Sequence, residues 1–323
     1  MSAHQAKHIY HLLHTAKNPV FISDERIDGD SLGASLALVD HLTSQGKHIP
    51  VYVAESVPKK YEFLPHITAC TTDTSIFENE VDLVLAFDCS DENYIERLVS
   101  KIPHRPLVIN IDHHASNSHY GDINYVVSHA PATAAVVYSL FHHNQIIPSK
   151  QAATCLLMGI CFDTTVFRNS ASDKDAFYIA SKLIKLGARS QEVVRAVFSG
   201  RSIPTLRVWG VALERLQKHP VYEFVTTCIT RKDMDEHGIT DDEVDGLSNF
   251  LHFVSDAHTL FVLKETTCGG VKVSMRSEKH DVSLIAKTFG GGGHVKAAGF
   301  TIPQSTISYD TQGNWKVESH VQA

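Results

Sequence analysis

Five aspartates sit where a parallel sheet would hold its chemistry: Asp28 and Asp30 in DGDS, Asp88 in AFDCS, Asp112 in IDHH and Asp163 in CFDTT. Each directly follows a predicted strand or an apolar helix, and two histidines, His113 and His114, follow Asp112. The carboxyl ends of strands in an open parallel sheet face one crevice, where ligands bind. Carboxylates gathered there would raise one another's pKa values and cost several kcal/mol unless a cation joined them. A metal site resolves that conflict. Oxygen-rich donors with one or two imidazoles suit Mn²⁺ or Mg²⁺ better than structural zinc. Carboxylates spaced i, i+2, like Asp28 and Asp30, can address two ions while a further one bridges them. Ion pairs of this kind lie about 3.5–4 Å apart and clamp both oxygens of an in-line phosphoryl displacement. Taken singly, each aspartate also reads as a turn or cap residue, and Asp30-Ser31 before a helix is a plausible cap. Five such positions beside paired histidines at a strand end do not.

The elements that must position these residues alternate in the first half of the chain. PVFIS (19–23) reads as a strand, and from Ser31 the run SLGASLALVDHLTSQG is helical and closes at Gly46. The strand-like runs IPVYVAE, VDLVLAF and PLVINI follow, the last two ending at Asp88 and Asp112. After PATAAVVYSLFHH, the apolar run AATCLLMGICF and the segment DKDAFYIASKLIKLGA read as helices, the second ending at Gly187. Alternation of this kind predicts βαβ units and a mostly parallel sheet flanked by helices. Residues 189–218 read as connector helices broken at Pro204. Beyond them VYEFVTTCITR, TLFVLKETT and VKVSMRS read as strands, the last two joined at Gly269-Gly270, with helices in DDEVDGLSNFLHFVSDA and DVSLIAKTF. The expected fold class is therefore α/β with a second, smaller α+β domain. The polar final twenty or so residues carry no assignment.

Composition limits the alternatives. The 323 residues are 43% hydrophobic and 20% charged, enough for two domains. A net charge of -7 argues against a general nucleic-acid coat but not against a small anionic substrate, since bound metal inverts the local field. The six cysteines form no C-x-x-C pair, which fits reduced thiols in a cytosol. There is no apolar signal core and no span-length apolar run, so a soluble, cytoplasmic protein without membrane contact is expected. Most of the 21 histidines lie in polar contexts and read as surface residues.

These motifs, in this order, resemble the DHH phosphoesterase superfamily, named for the triplet found here as Asp112-His113-His114. The first motif corresponds to Asp28-Gly29-Asp30-Ser31-Leu32-Gly33, the second to Asp88, the third to DHHASN with Asn117, and the fourth to GICFDTTVFR around Asp163. Near the C-terminus, MRSEKHDVSLIAKTFGGGGHVKAAGF looks like the glycine-rich signature of the DHH-associated domain, and SIPTLRVWGVALERL fits the connector of the nanoRNase/phosphoadenosine-phosphatase branch. The resemblance implies a DHH domain over 1–188, a helical connector over 189–218 and a DHH-associated substrate-binding domain over 219–323. It implies two divalent cations, Mn²⁺ first and Mg²⁺ second, one held by Asp28 and Asp88, the other by Asp30, Asp88, His113 and Asp163. His114 would bond a phosphate oxygen, and Asp112 would orient a ligating imidazole. One departure stands out: the family's histidine four residues before the first aspartate is here Asp24. A carboxylate there is expected to ligate the first ion and to favour Mg²⁺.

The resemblance also assigns substrate contacts to Arg276, Ser277 and His294, with Arg168 as a lesser candidate. Arg276 offers a planar fork suited to a terminal phosphate, and Gly291, Gly292 and Gly293 let backbone N–H groups approach an anion. The expected substrates are short RNA or 3′-phosphoadenosine 5′-phosphate, cleaved to nucleoside monophosphates. Cyclic di-AMP or pApA cleavage, and a catalytically weakened nucleotide-binding protein, are the alternatives. No long nucleic acid is expected as a partner, and a homodimer is compatible with the sequence.

Overall fold

A computed structural model describes residues 3–169, 171–198, 201–219, 222–309 and 315–320. The chain divides into two compact units, Met1–Gly200 and Arg201–Ala323. In the first unit the elements run α1 (Ala3–Thr15), β1 (Pro19–Ser23), α2 (Gly29–Thr43), β2 (Val51–Tyr52), β3 (Cys70–Thr71), β4 (Leu83–Phe87), α3 (Glu92–Val99), β5 (Leu107–Asp112), β6 (Ile123–Val126), α4 (Thr133–His143), α5 (Lys150–Asp163), α6 (Lys174–Lys185) and α7 (Ser190–Phe198).

The six strands form one sheet in the order β3-β2-β1-β4-β5-β6, every neighbouring pair parallel. Alternation along the strands divides their side chains between two cores. Leu83, Leu85 and Phe87 of β4 join Phe21, Ile109 and Ile111 beneath α1, α2, α4 and α5, whereas Val84 and Ala86 pack with Tyr94, Ile95 and Leu98 of α3. Connections leave β1 toward β2 and return to β4 on its other side, so a topological switch point lies between β1 and β4. The expected fold class holds.

Helices α2 and α5 touch backbone to backbone. A Cβ added at Gly33 would lie 2.4 Å from the Cys155 carbonyl oxygen, and one at Gly159 would lie 2.4 Å from Asp30 Oδ1. Glycine at these positions lets the two helices bring Asp30 and Asp163 toward one another.

The second unit contains α8 (Ile203–Glu214), β7 (Gln217–Lys218), β8 (Val225–Ile229), α9 (Arg231–His237), α10 (Asp241–Val244), α11 (Leu247–Val254), β9 (Thr259–Thr266), β10 (Gly270–Ser277), α12 (Val282–Thr288), β11 (Gly292–His294), β12 (Ala297–Pro303), β13 (Ser305–Tyr309) and β14 (Trp315–Ser319). Its main sheet, β11-β12-β10-β9-β8-β7, is antiparallel except at β8–β9. Helices α8, α9 and α11 contribute to a core on one face, and α12 with the β13–β14 hairpin to a core on the other.

Three local readings change. Pro204 opens α8 in its first turn rather than breaking a helix. The helix read across 241–257 is two, separated at Gly246 with φ 93°. The unassigned tail supplies the β13–β14 hairpin, while Val221, residues 310–314 and 321–323 lie outside the described residues. Among the described residues no helix is long and apolar enough to cross a membrane.

Candidate metal centre

The acidic residues emerge at the C-terminal ends of three adjacent strands, β1, β4 and β5. Asp28 is the N-cap of α2: its Oδ1 accepts from the backbone N–H groups of Asp30 and Ser31, both at 2.9 Å. The cap is thus Asp28, two residues before the expected Asp30-Ser31 position. Asp30, freed from capping its own helix, is fully buried; its Oδ2 accepts from Thr133 N at 2.5 Å and its Oδ1 from Ala134 N at 2.8 Å. Asp88 follows β4 with a left-handed backbone, φ 62°, and its Oδ1 accepts from the Thr133 hydroxyl at 2.8 Å. Asp24 Oδ1 accepts from Arg26 N at 2.8 Å.

The two histidines are held in different ways. His113 Nδ1 lies 3.1 Å from the Ala130 carbonyl, to which it donates, so Nε2 is the ring nitrogen left to face the carboxylates. It stands 2.9 Å from Asp163 Oδ2, 3.6 Å from Asp88 Oδ1 and 4.0 Å from Asp30 Oδ2. His114 Nδ1 lies 2.8 Å from Asp112 Oδ1, which also accepts the backbone N–H groups of His113 and His114. Asp112 Oδ2 accepts from Asn117 at 2.6 Å. The imidazole that Asp112 orients is therefore His114, not His113. Asp163 closes the cluster from the end of α5, where Asn169 Nδ2 donates to its carbonyl at 2.5 Å. The turn that follows holds Thr165, Val166 and Phe167 at φ between 49° and 63°, a conformation costing non-glycine residues roughly 1–2 kcal/mol each.

Electrostatics follow from burial. Desolvation, then the neighbouring carboxylates, push Asp30 and Asp88 well above the ordinary carboxylate range, and burial lifts Asp28 to about 6. Burial also raises Asp24. Burial works against a charge on His113, but the Asp163 hydrogen bond and the Asp30 and Asp163 carboxylates outweigh it and raise the imidazole to about 9. For Asp112, burial is outweighed by hydrogen bonds from His114 and Asn117, and its carboxyl stays below the usual range. Two donor sets result, Asp88–His113–His114 and Asp30–His113–Asp163, the ligand atoms of each within 4.8 Å of one another. Carboxylate oxygens with an imidazole nitrogen fit a hard or borderline divalent cation. Asp24 and Asp28 fall outside both sets.

The remaining sequence-predicted residues lie apart from this cluster in the chain. Arg168 donates its backbone N–H to the Thr164 carbonyl at 2.8 Å, within the turn after Asp163. In the second unit Arg276 Nε donates to Asn249 Oδ1 at 2.7 Å, and burial lowers its pKa. Ser277 is buried, its hydroxyl 2.9 Å from Thr259 Oγ1 and accepting from His280 N at 2.9 Å. His294 is exposed on the edge strand β11. A Cβ at Gly291 or Gly293 would strike β12, at 2.2 Å from Gly299 O and 2.5 Å from Ala298 Cα, so the strand edge itself requires those glycines. At Gly292 a Cβ meets nothing within 4 Å, which leaves that glycine unexplained by packing.

Thr133 belongs to no motif, and sequence reasoning passes over it. Its only signal is Ala132 before it, an N-cap without a side-chain acceptor, which leaves the first N–H groups of α4 in need of a partner from elsewhere.

A doubly wound sheet with this cluster at its switch point defines a divalent-metal-dependent hydrolase of phosphoester bonds. The chain belongs to the DHH family: residues 19–160 match the DHH family, N-terminal domain, and residues 221–312 the DHHA1 domain. It is 30% identical over 295 residues to the bifunctional oligoribonuclease and PAP phosphatase NrnA of Thermus thermophilus, covering 90% of this chain and 86% of that one. A probable enzyme of the same description from Streptococcus mutans is 26% identical, covering 84% and 85%. The crystal structure of an exopolyphosphatase-related protein from Bacteroides fragilis shares the fold, with TM-score 0.81, 23% identity and coverage of 93% and 91%.

Proposed function

We propose that this enzyme hydrolyses short oligoribonucleotides and 3′-phosphoadenosine 5′-phosphate to nucleoside monophosphates, using two divalent cations, Mn²⁺ ahead of Mg²⁺. One observation carries the reading: the carboxylates of Asp30, Asp88 and Asp163 converge within 2.9–4.0 Å of His113 Nε2 in one crevice, and a carboxylate such as Asp88, unlike the single free imidazole nitrogen, has oxygens for two ions. The relatives named above support the substrate class. Asp28 and Asp88 would hold one ion, and Asp30, Asp88, His113 and Asp163 the other. When bound, the ions supply an activated water and neutralise charge on the phosphoryl oxygens. Asp112 fixes the His114 ring through Nδ1 and favours its charged form, so that Nε2 can donate to a phosphate oxygen. Arg276 and His294 would contact nucleotide phosphate.

Incubation with Mn²⁺ or Mg²⁺ and a panel of pAp, pApA, short RNA and cyclic di-AMP tests this. Release of monophosphates from pAp and short RNA is expected. Preferred turnover of cyclic di-AMP or pApA would redirect the substrate assignment. Tight binding without turnover under both metals would favour the non-enzymatic alternative, whose support is Asp24 in the histidine position and outside both donor sets. Asp24→His should shift metal preference from Mg²⁺ toward Mn²⁺; identical activation profiles for the two proteins would refute a ligand role for Asp24.

Metal uptake should be proton-linked. A raised pKa on His113, about 9, means that the metal-free imidazole carries a proton at pH 7 and must release it on ligation. Affinity for Mn²⁺ should therefore climb as pH rises from 6 toward 9. Calorimetry in two buffers of different ionisation enthalpy would read the released proton, and equal heats would contradict the assignment.

A further inference from the structure

The geometry points to Thr133 as a positioning residue that sets two metal-binding carboxylates at once, with the first turn of α4 as the clamp. This rests on the metal reading above and goes beyond the ligands themselves. Thr133 is fully buried, and its two polar groups reach across the fold. Its N–H meets Asp30 Oδ2 at 2.5 Å, 103 residues away, and its hydroxyl meets Asp88 Oδ1 at 2.8 Å, 45 residues away. Ala134 N adds a third bond, to Asp30 Oδ1 at 2.8 Å.

The local alternative for a threonine at a helix start is to cap its own backbone. Here the capping position is Ala132, which offers no side-chain bond, and the Asp30 carboxylate caps α4 in its place. A buried carboxylate at a helix N-terminus gains from the helix dipole and from N–H bonds that offset part of the cost of its burial. These neutral donors let Asp30 and Asp88 stand close in the metal-free protein while using up only part of their acceptor capacity. A carboxylate has roughly four lone-pair sites; Asp30 spends two on α4, and the hydroxyl takes one from Asp88. The rest remain for ions. Gly159 also abuts Asp30, since even a methyl group there would lie 2.4 Å from Asp30 Oδ1. The carboxylates thus wait in a fixed orientation, and the Thr133 hydroxyl is the group that fixes Asp88.

The test is Mn²⁺ titration of the chelator-stripped full-length protein by calorimetry, with melting of the metal-free forms measured alongside. Thr133→Val keeps the shape and removes the hydroxyl; its Mn²⁺ dissociation constant should weaken by about tenfold, the lower range for loss of a group that orients a ligand. Thr133→Ser restores the hydroxyl and should bind Mn²⁺ close to wild type. If the valine variant does not fold, Thr133→Ala takes its place with the same expectation. Wild-type affinity in the variant without a hydroxyl would overturn the clamp, as would a serine variant as weak as valine. Melting temperatures that fall while Mn²⁺ affinity stays at the wild-type value would assign Thr133 to folding alone. Absence of Mn²⁺ binding by the wild type would instead overturn the metal reading, and the clamp with it.

Discussion

Asp88→Asn should lower turnover by about a thousandfold or more while leaving the metal-free protein at least as stable as the wild type. The activity loss corresponds to roughly 4 kcal/mol of transition-state stabilisation. Asparagine tolerates the left-handed backbone that Asp88 adopts, so the φ of 62° is kept. Its amide oxygen can still accept the Thr133 hydroxyl. What vanishes is a negative charge that lies 3.6 Å from both His113 Nε2 and His114 Nδ1 and is common to both proposed ion sites. A neutral amide cannot hold two cations together. The opposite sign for stability follows from the same burial: Asp30, Asp28 and Asp163 all push the Asp88 carboxyl upward, so neutralising it relieves repulsion in the empty site. Steady-state rates on short RNA with Mn²⁺, together with melting of the chelated protein, read both signs. Retained turnover would remove Asp88 from the centre of the mechanism, and a large loss of metal-free stability would show that its role is structural.

What the sequence discloses and what it hides differ in physical kind. Asp88, Asp112 and Asp163 are legible because each ends an apolar run, and an apolar run that stops on an acid is how a buried element meets a crevice. His113 and His114 are legible as a pair, but their division of labour is not. It depends on the Ala130 carbonyl, which a turn between β6 and α4 presents to His113, and no periodicity reports such a turn. Asp28 and Asp30 look interchangeable in DGDS. The structure separates them, because a capping box claims Asp28 and leaves Asp30 to reach α4. Thr133 stays hidden for a related reason: threonine at a helix start is ordinary, and its partners are distant in the chain. The parallel sheet is readable from alternation alone. In the second unit the break between α10 and α11 escapes the pattern because Gly246 sits inside an otherwise helical run, and the final hairpin escapes it because its strands carry few apolar residues.

Gly159→Ala should be far more damaging than one methyl group suggests, and it should damage metal binding and folding together. The added Cβ would lie 2.4 Å from Asp30 Oδ1 and 2.5 Å from the Ala134 Cβ. Neither neighbour can retreat easily. Asp30 is in the first turn of a helix capped by Asp28, and Ala134 is in the first turn of α4, bonded to that same carboxylate. Helix α5 cannot back away either, because the Gly33 contact with the Cys155 carbonyl already fixes the backbone separation of α2 and α5. Overpacking of this kind costs about 1–3 kcal/mol, or a melting temperature lower by several degrees. Mn²⁺ binding should weaken as well, since the methyl group displaces an oxygen of a proposed ligand, Asp30, rather than an apolar atom. Gly210, in the middle of α8, is the counter-case: a Cβ added there would meet nothing within 4 Å. There alanine should stabilise by about 0.5–1 kcal/mol through helix propensity and leave metal affinity untouched. The same substitution thus has opposite signs at two helical glycines, because one abuts a carboxylate and the other faces open space. A Gly159→Ala protein that melts and binds Mn²⁺ like the wild type would mean that α2 and α5 do not meet at Asp30.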